Sequence, residues 1–100
     1  MKMHRTQSKN EEKMLKNLYE AIAAIKNTEE ALCFFQDLCT PAELQAMADR
    51  WHVVHLLKQG KSYRQIQTET GVSVTTIGRV ARCIMLGQEG YNTVYKRVKK

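Results

Sequence analysis

The sequence from Ser62 to Arg82, SYRQIQTETGVSVTTIGRVAR, restricts the fold of this chain more than any other stretch. Ser62 followed by Gln65 forms a capping-box pattern that begins one helix, and Ser73 can cap the N-terminus of a second. Gly71 lies between them, and glycine readily adopts the positive φ that a sharp corner between helices requires. The stretch therefore predicts two short helices joined by a tight turn, which is a helix-turn-helix.

The second half of this stretch is predicted to be a helix rather than a β-strand. The run VSVTTI alternates and is rich in β-branched residues, which by propensity alone favours a strand. The serine cap and the helical spacing of Val74, Ile77 and Val80 favour the helix. Two positions depart from the common pattern of such motifs, which have a small residue in place of Gln67 and an apolar one in place of Thr70. A plain packing corner therefore stays an alternative.

The first residues of the second helix are the candidates for reading DNA bases. A helix-turn-helix inserts its second helix into the major groove, where the N-terminal residues of that helix contact base edges. These residues are Val74, Thr75, Thr76 and Gly78. Val74 and the Thr75 methyl group can contact thymine methyl groups, and a threonine hydroxyl can bond to base edges. We expect Gly78 to let the backbone come close to the DNA.

Positive charge is concentrated in the half of the chain that contains this motif. Residues 1–59 carry eight Lys and Arg against eight Asp and Glu, whereas residues 60–100 carry eight against two. The whole net charge of +6 therefore belongs to the second half, where it can attract nucleic-acid phosphates. The candidate phosphate-contacting residues are Lys61, Arg64, Arg79 and Arg82, with a basic C-terminal tail of Lys96, Arg97, Lys99 and Lys100.

Three helices are predicted ahead of the motif. Residues 1–10 are polar and are expected to form a flexible arm, and apolar residues then recur at helical spacing from Glu11. Thr28 can cap a second helix, and a Thr-Pro pair ending in Pro41 is a clear start for a third. The third helix is apolar around much of its circumference, which predicts burial by more than one neighbour. We interpret residues 11–59 as dimerising helices.

A last helix is expected within residues 90–100, where two tyrosines and two valines at helical spacing are predicted to face inward. The chain is therefore predicted to be all-α, a single domain of about six helices with the helix-turn-helix at residues 62–86. A domain of 100 residues has a small core, and dimerisation often supplies the stability that such a core lacks.

Neither metal binding nor catalysis is expected from the residue patterns. His52 and His55 lie on one helical face, but two ligands do not make a metal site. The sequence has no nucleophile with a base at recognisable spacing and no glycine-rich phosphate loop. We therefore expect no enzyme activity and no cofactor.

The cysteines and the absence of long apolar runs indicate the cellular compartment in which the protein is expected. Cys33, Cys39 and Cys83 are odd in number and form no C-x-x-C pair, so they are expected to be reduced, mostly buried thiols of an intracellular protein. No stretch resembles a signal peptide or a membrane span. The protein is therefore expected to be cytoplasmic, without membrane contacts.

The stretch LCTPAELQAMADRWHVVHLLKQGKSYRQIQTETGVSVTTIGRVARCI, from Leu38 to Ile84, resembles the tryptophan repressor family, in particular its YerC/YecD-type branch. The likeness includes the Thr-Pro start, the Leu56-Leu57 pair, the serine start of the motif and its glycine turn. It implies six helices in an intertwined homodimer. The two helix-turn-helix units of such a dimer lie one DNA turn apart and read a palindrome.

The resemblance also implies a site for a small effector. In the tryptophan-dependent repressor of this family the indole ring lies between two arginines, of which one matches Arg79 and the other falls at Asp49. A glycine beside the first arginine is replaced by Val80. The candidate effector pocket is therefore Asp49, Arg79, Val80 and Cys83, and its changed lining predicts that tryptophan is not the ligand. A phosphate-contacting arginine of the family matches Arg64.

Together these features predict a transcriptional regulator that binds double-stranded DNA as a homodimer on a palindromic operator, with repression as the expected output. Two alternatives stay open. One is a repressor that responds to a small effector other than tryptophan, for which Asp49 favours a cationic group. The other is a helical protein-interaction module in which the helix-turn-helix is only a packing corner.

Overall fold

The computed structural model describes residues 4–99, which form six α-helices and no strand. In chain order these are α1 (His4–Ala23), α2 (Thr28–Leu38), α3 (Pro41–Lys58), α4 (Tyr63–Thr70), α5 (Val74–Leu86) and α6 (Gly90–Lys99). The predicted all-α fold of six helices is therefore confirmed. Residues 1–3 of the expected arm and Lys100 of the expected basic tail lie outside the described residues.

The first helix begins at His4, well before the predicted start at Glu11. Residues 4–10, which were expected to belong to a flexible arm, are therefore helical in the structure. This segment contains no glycine or proline, so nothing in it stops a helix from extending toward the N-terminus once the following turns have formed.

The chain divides into two compact units, residues 1–40 and residues 41–100. The first unit contains α1 and α2. Asn27, and not the predicted Thr28, caps α2, because the Asn27 side-chain oxygen accepts a hydrogen bond of 2.8 Å from the backbone N–H of Glu30. Asparagine is at least as good an N-cap as threonine, and Thr28 becomes the first helical residue.

The apolar side chains of α1 and α2 are not enclosed by the single chain. No residue of α2 is buried, and Met14 of α1 is 67% exposed. Other large apolar side chains exposed on these helices are Leu15, Tyr19, Leu32 and Leu38. Soluble monomers rarely expose contiguous apolar surface of this kind, which is typical of an interface.

The second unit, formed by α3 to α6, has a core built around α3. This helix packs against α4 and α5, and α5 in turn packs against α4 and α6. Val53 and Val54 of α3 are fully buried, as are Ile66 of α4 and Ile77 of α5. The core is completed by Leu56, Val72 and Val80. Each fully buried Val or Ile contributes about 1.5–3 kcal/mol, so the core fixes α4 and α5 on α3.

Aromatic rings hold α6 against α3. The ring centroid of Trp51 lies 6.2 Å from that of Tyr91 and 6.5 Å from that of Tyr95, and all three side chains pack against the core. Val94 and Val98, which were expected to face inward with the tyrosines, are exposed instead. The wide tyrosine rings cover the available face of α3, and the shorter valines on α6 are left outside it.

Asn92 joins three helices at the corner between α5 and α6. Its Oδ1 accepts a hydrogen bond of 2.6 Å from Lys58 Nζ of α3, and its Nδ2 donates one of 3.0 Å to the carbonyl oxygen of Ile84 in α5. Nδ2 also donates to Glu89 Oε1 at 3.2 Å. Glu89 has a φ of 67°, a left-handed conformation that is uncommon outside glycine. These bonds fix the position of the C-terminal end of α5 relative to α3 and α6.

Candidate nucleic-acid interface

The helix-turn-helix begins with the predicted capping box. Ser62 Oγ accepts a hydrogen bond of 3.1 Å from the backbone N–H of Gln65, and Gln65 Oε1 accepts one of 2.8 Å from the backbone N–H of Ser62. At the other end of α4, Gly71 has a φ of 79°, the left-handed conformation predicted for the corner. Both ends of α4 are therefore set by local hydrogen bonding and backbone preference.

Thr70 closes the turn between the two helices with its hydroxyl group. Oγ1 donates a hydrogen bond of 2.7 Å to the carbonyl oxygen of Ile66 and accepts one of 3.0 Å from the backbone N–H of Val72. Val72 is buried, so its N–H would otherwise lack a partner. Gln67 is exposed, so its length meets no neighbour. The two departures from the common motif pattern are thus compatible with a well-formed turn.

The first turn of α5 presents two side chains to solvent. Ser73 Oγ accepts a hydrogen bond of 3.1 Å from the backbone N–H of Thr76 and donates one of 3.1 Å to Thr76 Oγ1. The Thr76 hydroxyl therefore faces its own cap, and this side chain is half-buried. Val74 and Thr75 are exposed. Of the four predicted base-contacting residues, these two are the most accessible.

An open groove of about 670 Å³ follows the exposed face of α5. It is lined by Val74, Thr75, Gly78, Arg79, Ala81, Arg82, Met85 and Leu86, with Tyr63 contributed by α4. The groove brings together three of the predicted base-contacting residues and two of the predicted phosphate-contacting arginines. The exposed surface of α5 therefore carries polar, apolar and cationic groups together. The opposite surface of this helix packs on the core.

The other two predicted phosphate-contacting residues lie in α4 and just before it. Arg64 and Lys61 line a second surface depression, together with Glu69. Lys61 Nζ forms an ion pair of 3.2 Å with Glu69 Oε2, whereas Arg64 is exposed. An exposed ion pair of this type contributes about 0–1 kcal/mol, but it offsets the charge that Lys61 offers to a phosphate. Of the two residues, Arg64 is therefore the one whose positive charge is more available to a phosphate.

The basic tail is described only in part. Lys96 and Arg97 are exposed on α6. The side chain of Lys99 and the whole of Lys100 lie outside the described part of the chain. The two described cations add positive surface beyond the groove.

Comparison with known proteins places this geometry in a family. The family described as Trp repressor protein matches residues 13–99. The chain belongs to the Trp repressor family. The protein YerC of Bacillus subtilis (strain 168), described as uncharacterized, is 43% identical over 88 residues, which make up 88% of this chain and 85% of YerC. The predicted resemblance to the YerC-type branch is therefore confirmed.

Two solved structures share the Trp repressor fold with this chain. A TrpR-like protein from Eubacterium eligens ATCC 27750 is 34% identical with a TM-score of 0.80, and the match covers 87% of this chain and 90% of that one. A candidate Trp repressor from Staphylococcus aureus is 38% identical with a TM-score of 0.79, and the match covers 86% of each chain. The fold is thus the regulator fold of the Trp repressor family.

The four residues expected, by resemblance to this family, to form an effector pocket do not line one groove together in the single chain. Only Arg79 lines the groove on α5. Val80 is 1% exposed and belongs to the core, and Cys83 is exposed outside the groove lining. Asp49 is partly buried, and its Oδ1 accepts a hydrogen bond of 2.8 Å from Gln45 Nε2. In the single chain these residues therefore have separate surroundings.

The two histidines of the predicted pair have different surroundings. His55 Nδ1 lies 3.0 Å from the carbonyl oxygen of Trp51, so this nitrogen carries the proton of a hydrogen bond. His52 is exposed. Among the side chains of residues 8–98, which the structure describes, no group of three or more His, Cys, Asp or Glu is placed to hold a metal ion. Nor does any helix within residues 4–99 combine the length and apolarity that crossing a bilayer requires.

The cysteines are free thiols, but the expectation that they are mostly buried is wrong for the single chain. Cys33 and Cys83 are exposed and Cys39 is partly buried. Cys33 belongs to α2, which buries none of its residues. Cys83 lies on α5 outside the stripe that packs on the core. Burial of cysteine depends on a neighbour covering its helix face, which composition does not reveal.

Four residues of the groove lining were not predicted from the sequence: Tyr63, Ala81, Met85 and Leu86. Met85 and Leu86 are 75% and 78% exposed at the end of α5, where the predicted helix-turn-helix ends. Tyr63 is the first residue of α4, and its ring lies beside Gly78 of α5. The sequence signal that could have indicated Tyr63 is its position between the Ser62 cap and Arg64. These residues begin the first helix of the motif, whose first turn is expected to approach the DNA backbone.

Proposed function

We propose that the chain is a sequence-specific DNA-binding transcriptional regulator, which acts as a homodimer on a palindromic operator with repression as its output. The observation that carries the proposal is the groove on α5. It combines the exposed Val74 and Thr75 at the start of the second helix with Arg79 and Arg82 along the same face. Membership of the Trp repressor family supports it.

Each group in the groove has a separate role in this proposal. The Val74 side chain and the Thr75 methyl group contact thymine methyls, while the Thr75 hydroxyl bonds to a base edge. Arg79 and Arg82, with Arg64 from α4, contact phosphates and set the register of the protein on the duplex. Thr76 supports the first turn through its bond with the cap, and it contributes to base reading through its methyl group.

Dimerisation is supported by the apolar surface of α1 and α2. Side chains such as Met14 and Leu32 are more than half exposed in the single chain, although they lie on helices with regular apolar spacing. A second copy of the chain can bury them by supplying the same surface in return. A two-fold dimer presents two α5 helices in opposite senses, and this requires a palindromic operator.

Regulation by tryptophan is not part of the proposal. In the tryptophan-dependent member of the family two arginines flank the indole ring, and the position of one of them is Asp49. Val80, which replaces a glycine next to the other, fills core space instead. If a small effector acts on this chain, the carboxylate of Asp49 favours a cationic group. Screening amino acids by thermal shift, with tryptophan as the reference, tests this point.

Binding-site selection from random duplexes tests the main proposal. We expect one palindromic consensus with half-sites about one DNA turn apart. Affinity for the selected duplex should fall steeply with salt, because each phosphate bound by a cation contributes a slope of about −0.9 in a plot of log K against log salt. Arg64→Ala and Arg79→Ala should each lower this slope for all sequences, whereas changes at Thr75 should alter the preferred sequence.

A flat salt dependence and no selected consensus would overturn the proposal. That result would favour a helical protein-interaction module, in which the helix-turn-helix is a packing corner. The salt measurement separates the two functions because a protein-interaction module has no phosphate contacts to replace condensed counterions.

A further inference from the structure

Tyr63 occupies a position that the fold of the chain does not explain. It is the first residue of α4 and 43% exposed, although tyrosine carries a large apolar ring. Among the side chains that the structure describes, those of residues 8–98, its hydroxyl has no hydrogen-bond partner. The core of the second unit is complete without it. A ring that is half in solvent, with an unused hydroxyl, is available to a binding partner.

The surroundings of Tyr63 indicate which partner. Its ring atom Cε2 lies 3.8 Å from the place where a side chain at Gly78 would begin, so the ring rests on the bare backbone of α5. The same groove contains Arg79 and Arg82, and Arg64 follows Tyr63 directly in α4. The phenol therefore lines the same groove as two arginines, on the surface that is proposed to face DNA.

The position in α4 favours a phosphate over a base as the target. In a helix-turn-helix the first helix crosses the sugar–phosphate backbone, while the second helix enters the groove. The N-terminal turn of a helix also favours negative charge through its dipole and its free N–H groups. Tyrosine hydroxyls are among the side-chain groups that donate hydrogen bonds to phosphate oxygens.

We propose that Tyr63 contacts the DNA backbone, its hydroxyl donating a hydrogen bond to a phosphate oxygen while its ring stays against Gly78. This inference rests on the proposed DNA-binding function and adds an uncharged contact to it. Tyr63 and Gly78 both line the groove, with Tyr63 Cε2 3.8 Å from the place where a Cβ atom at Gly78 would lie. The occupant of this site is therefore the same duplex that α5 reads.

Tyr63→Phe tests the proposal because it removes the hydroxyl and keeps the ring. The binding constant for the selected operator should fall about tenfold, the effect of removing one hydrogen bond to a charged acceptor. The slope of log K against log salt should not change, because a neutral phenol displaces no counterion. Arg79→Ala, by contrast, should lower both the affinity and the slope, the slope by about 0.9 for each phosphate that the arginine neutralises.

Two controls keep the result specific. Thr93→Val removes the hydroxyl of an exposed side chain on α6, away from the groove, and should leave DNA affinity at the wild-type value. The melting temperature of Tyr63→Phe should equal that of the wild type, because the hydroxyl has no partner within the described chain. A melting temperature that falls with the affinity would assign Tyr63 a structural role and overturn the proposal.

The possible failures are distinguishable. If the wild-type protein shows a flat salt dependence, the DNA-binding function itself is wrong and the Tyr63 proposal fails with it. If the wild-type dependence is steep and Tyr63→Phe binds as tightly as wild type, only the role of Tyr63 is wrong. A lower affinity with a changed salt slope would also overturn it, because the variant would then have displaced a cationic group from its phosphate.

Discussion

Gly78→Ala should make the protein more stable and a weaker DNA binder at the same time. Glycine inside a helix costs about 1 kcal/mol relative to alanine. A Cβ atom at position 78 would have Tyr63 Cε2, at 3.8 Å, as its nearest neighbour, which is an ordinary van der Waals distance. The fold therefore has no steric need for glycine at this position. The free energy of unfolding should rise by about 1 kcal/mol, which raises the melting temperature by about 4–8 °C for a domain of this size.

The expected loss of DNA affinity follows from the same position. Gly78 lines the groove one turn after Val74, on the face proposed to approach the major-groove floor. If the DNA lies against the backbone at Gly78, an added methyl group forces the DNA away from α5. The cost should be comparable to that of an extra methyl group in a packed core. Such overpacking costs at least about 1 kcal/mol, or roughly fivefold in the binding constant.

Two measurements on Gly78→Ala test these expectations. Thermal unfolding gives the stability, and anisotropy gives the affinity for the selected operator. Thr93→Ala provides the matched control, because it also raises helix propensity at an exposed position, on α6 and away from the groove. It should raise the melting temperature slightly and leave affinity unchanged. Gly78→Ala with higher stability and wild-type affinity would refute the close approach of DNA. Lower stability would refute the packing argument itself.

Three further substitutions test the supports of the motif. Gly71→Ala forces alanine into a φ of 79° and should lower the free energy of unfolding by about 1–2 kcal/mol, measured by urea denaturation. Thr70→Val removes the acceptor of the Val72 N–H and should cost about 1–3 kcal/mol in the same assay, whereas Thr70→Ser should cost less. Asn92→Ala removes the bonds to α3 and α5, and should reduce hydrogen-exchange protection of the α6 amides more than that of the α4 amides.

The features that were predictable from the sequence are those that depend on a few neighbouring residues. The capping box at Ser62, the cap at Ser73 and the left-handed Gly71 are all present, because each is determined within one or two turns of chain. The start of α2 was misplaced by one residue because Asn27 and Thr28 are both competent caps, and sequence alone does not rank the competing hydrogen bonds.

Features that depend on distant parts of the chain were harder to predict. The place of Tyr63 in the groove follows from the way that α4 and α5 pack through Ile66 and Ile77, and no spacing rule gives that arrangement. Exposure on α1 and α2 is harder still, since it depends on what covers those helices. Leu32 lies in the stretch interpreted as dimerising helices, and in the single chain this side chain is 53% exposed.

If the chain binds DNA as proposed, the surroundings of Arg79 give a physical reason for binding that does not require tryptophan. In the tryptophan-dependent repressor this arginine position forms one wall of the ligand site, with a second arginine opposite. In this chain the opposite position is Asp49, whose carboxylate is bonded to Gln45, and Arg79 is exposed in the groove beside Arg82. A guanidinium that is not stacked on a ligand is free to pair with a phosphate. In the absence of tryptophan, Arg79 should therefore already contribute about 0.9 to the slope of log K against log salt for each phosphate that it binds. Adding tryptophan should not change this contribution.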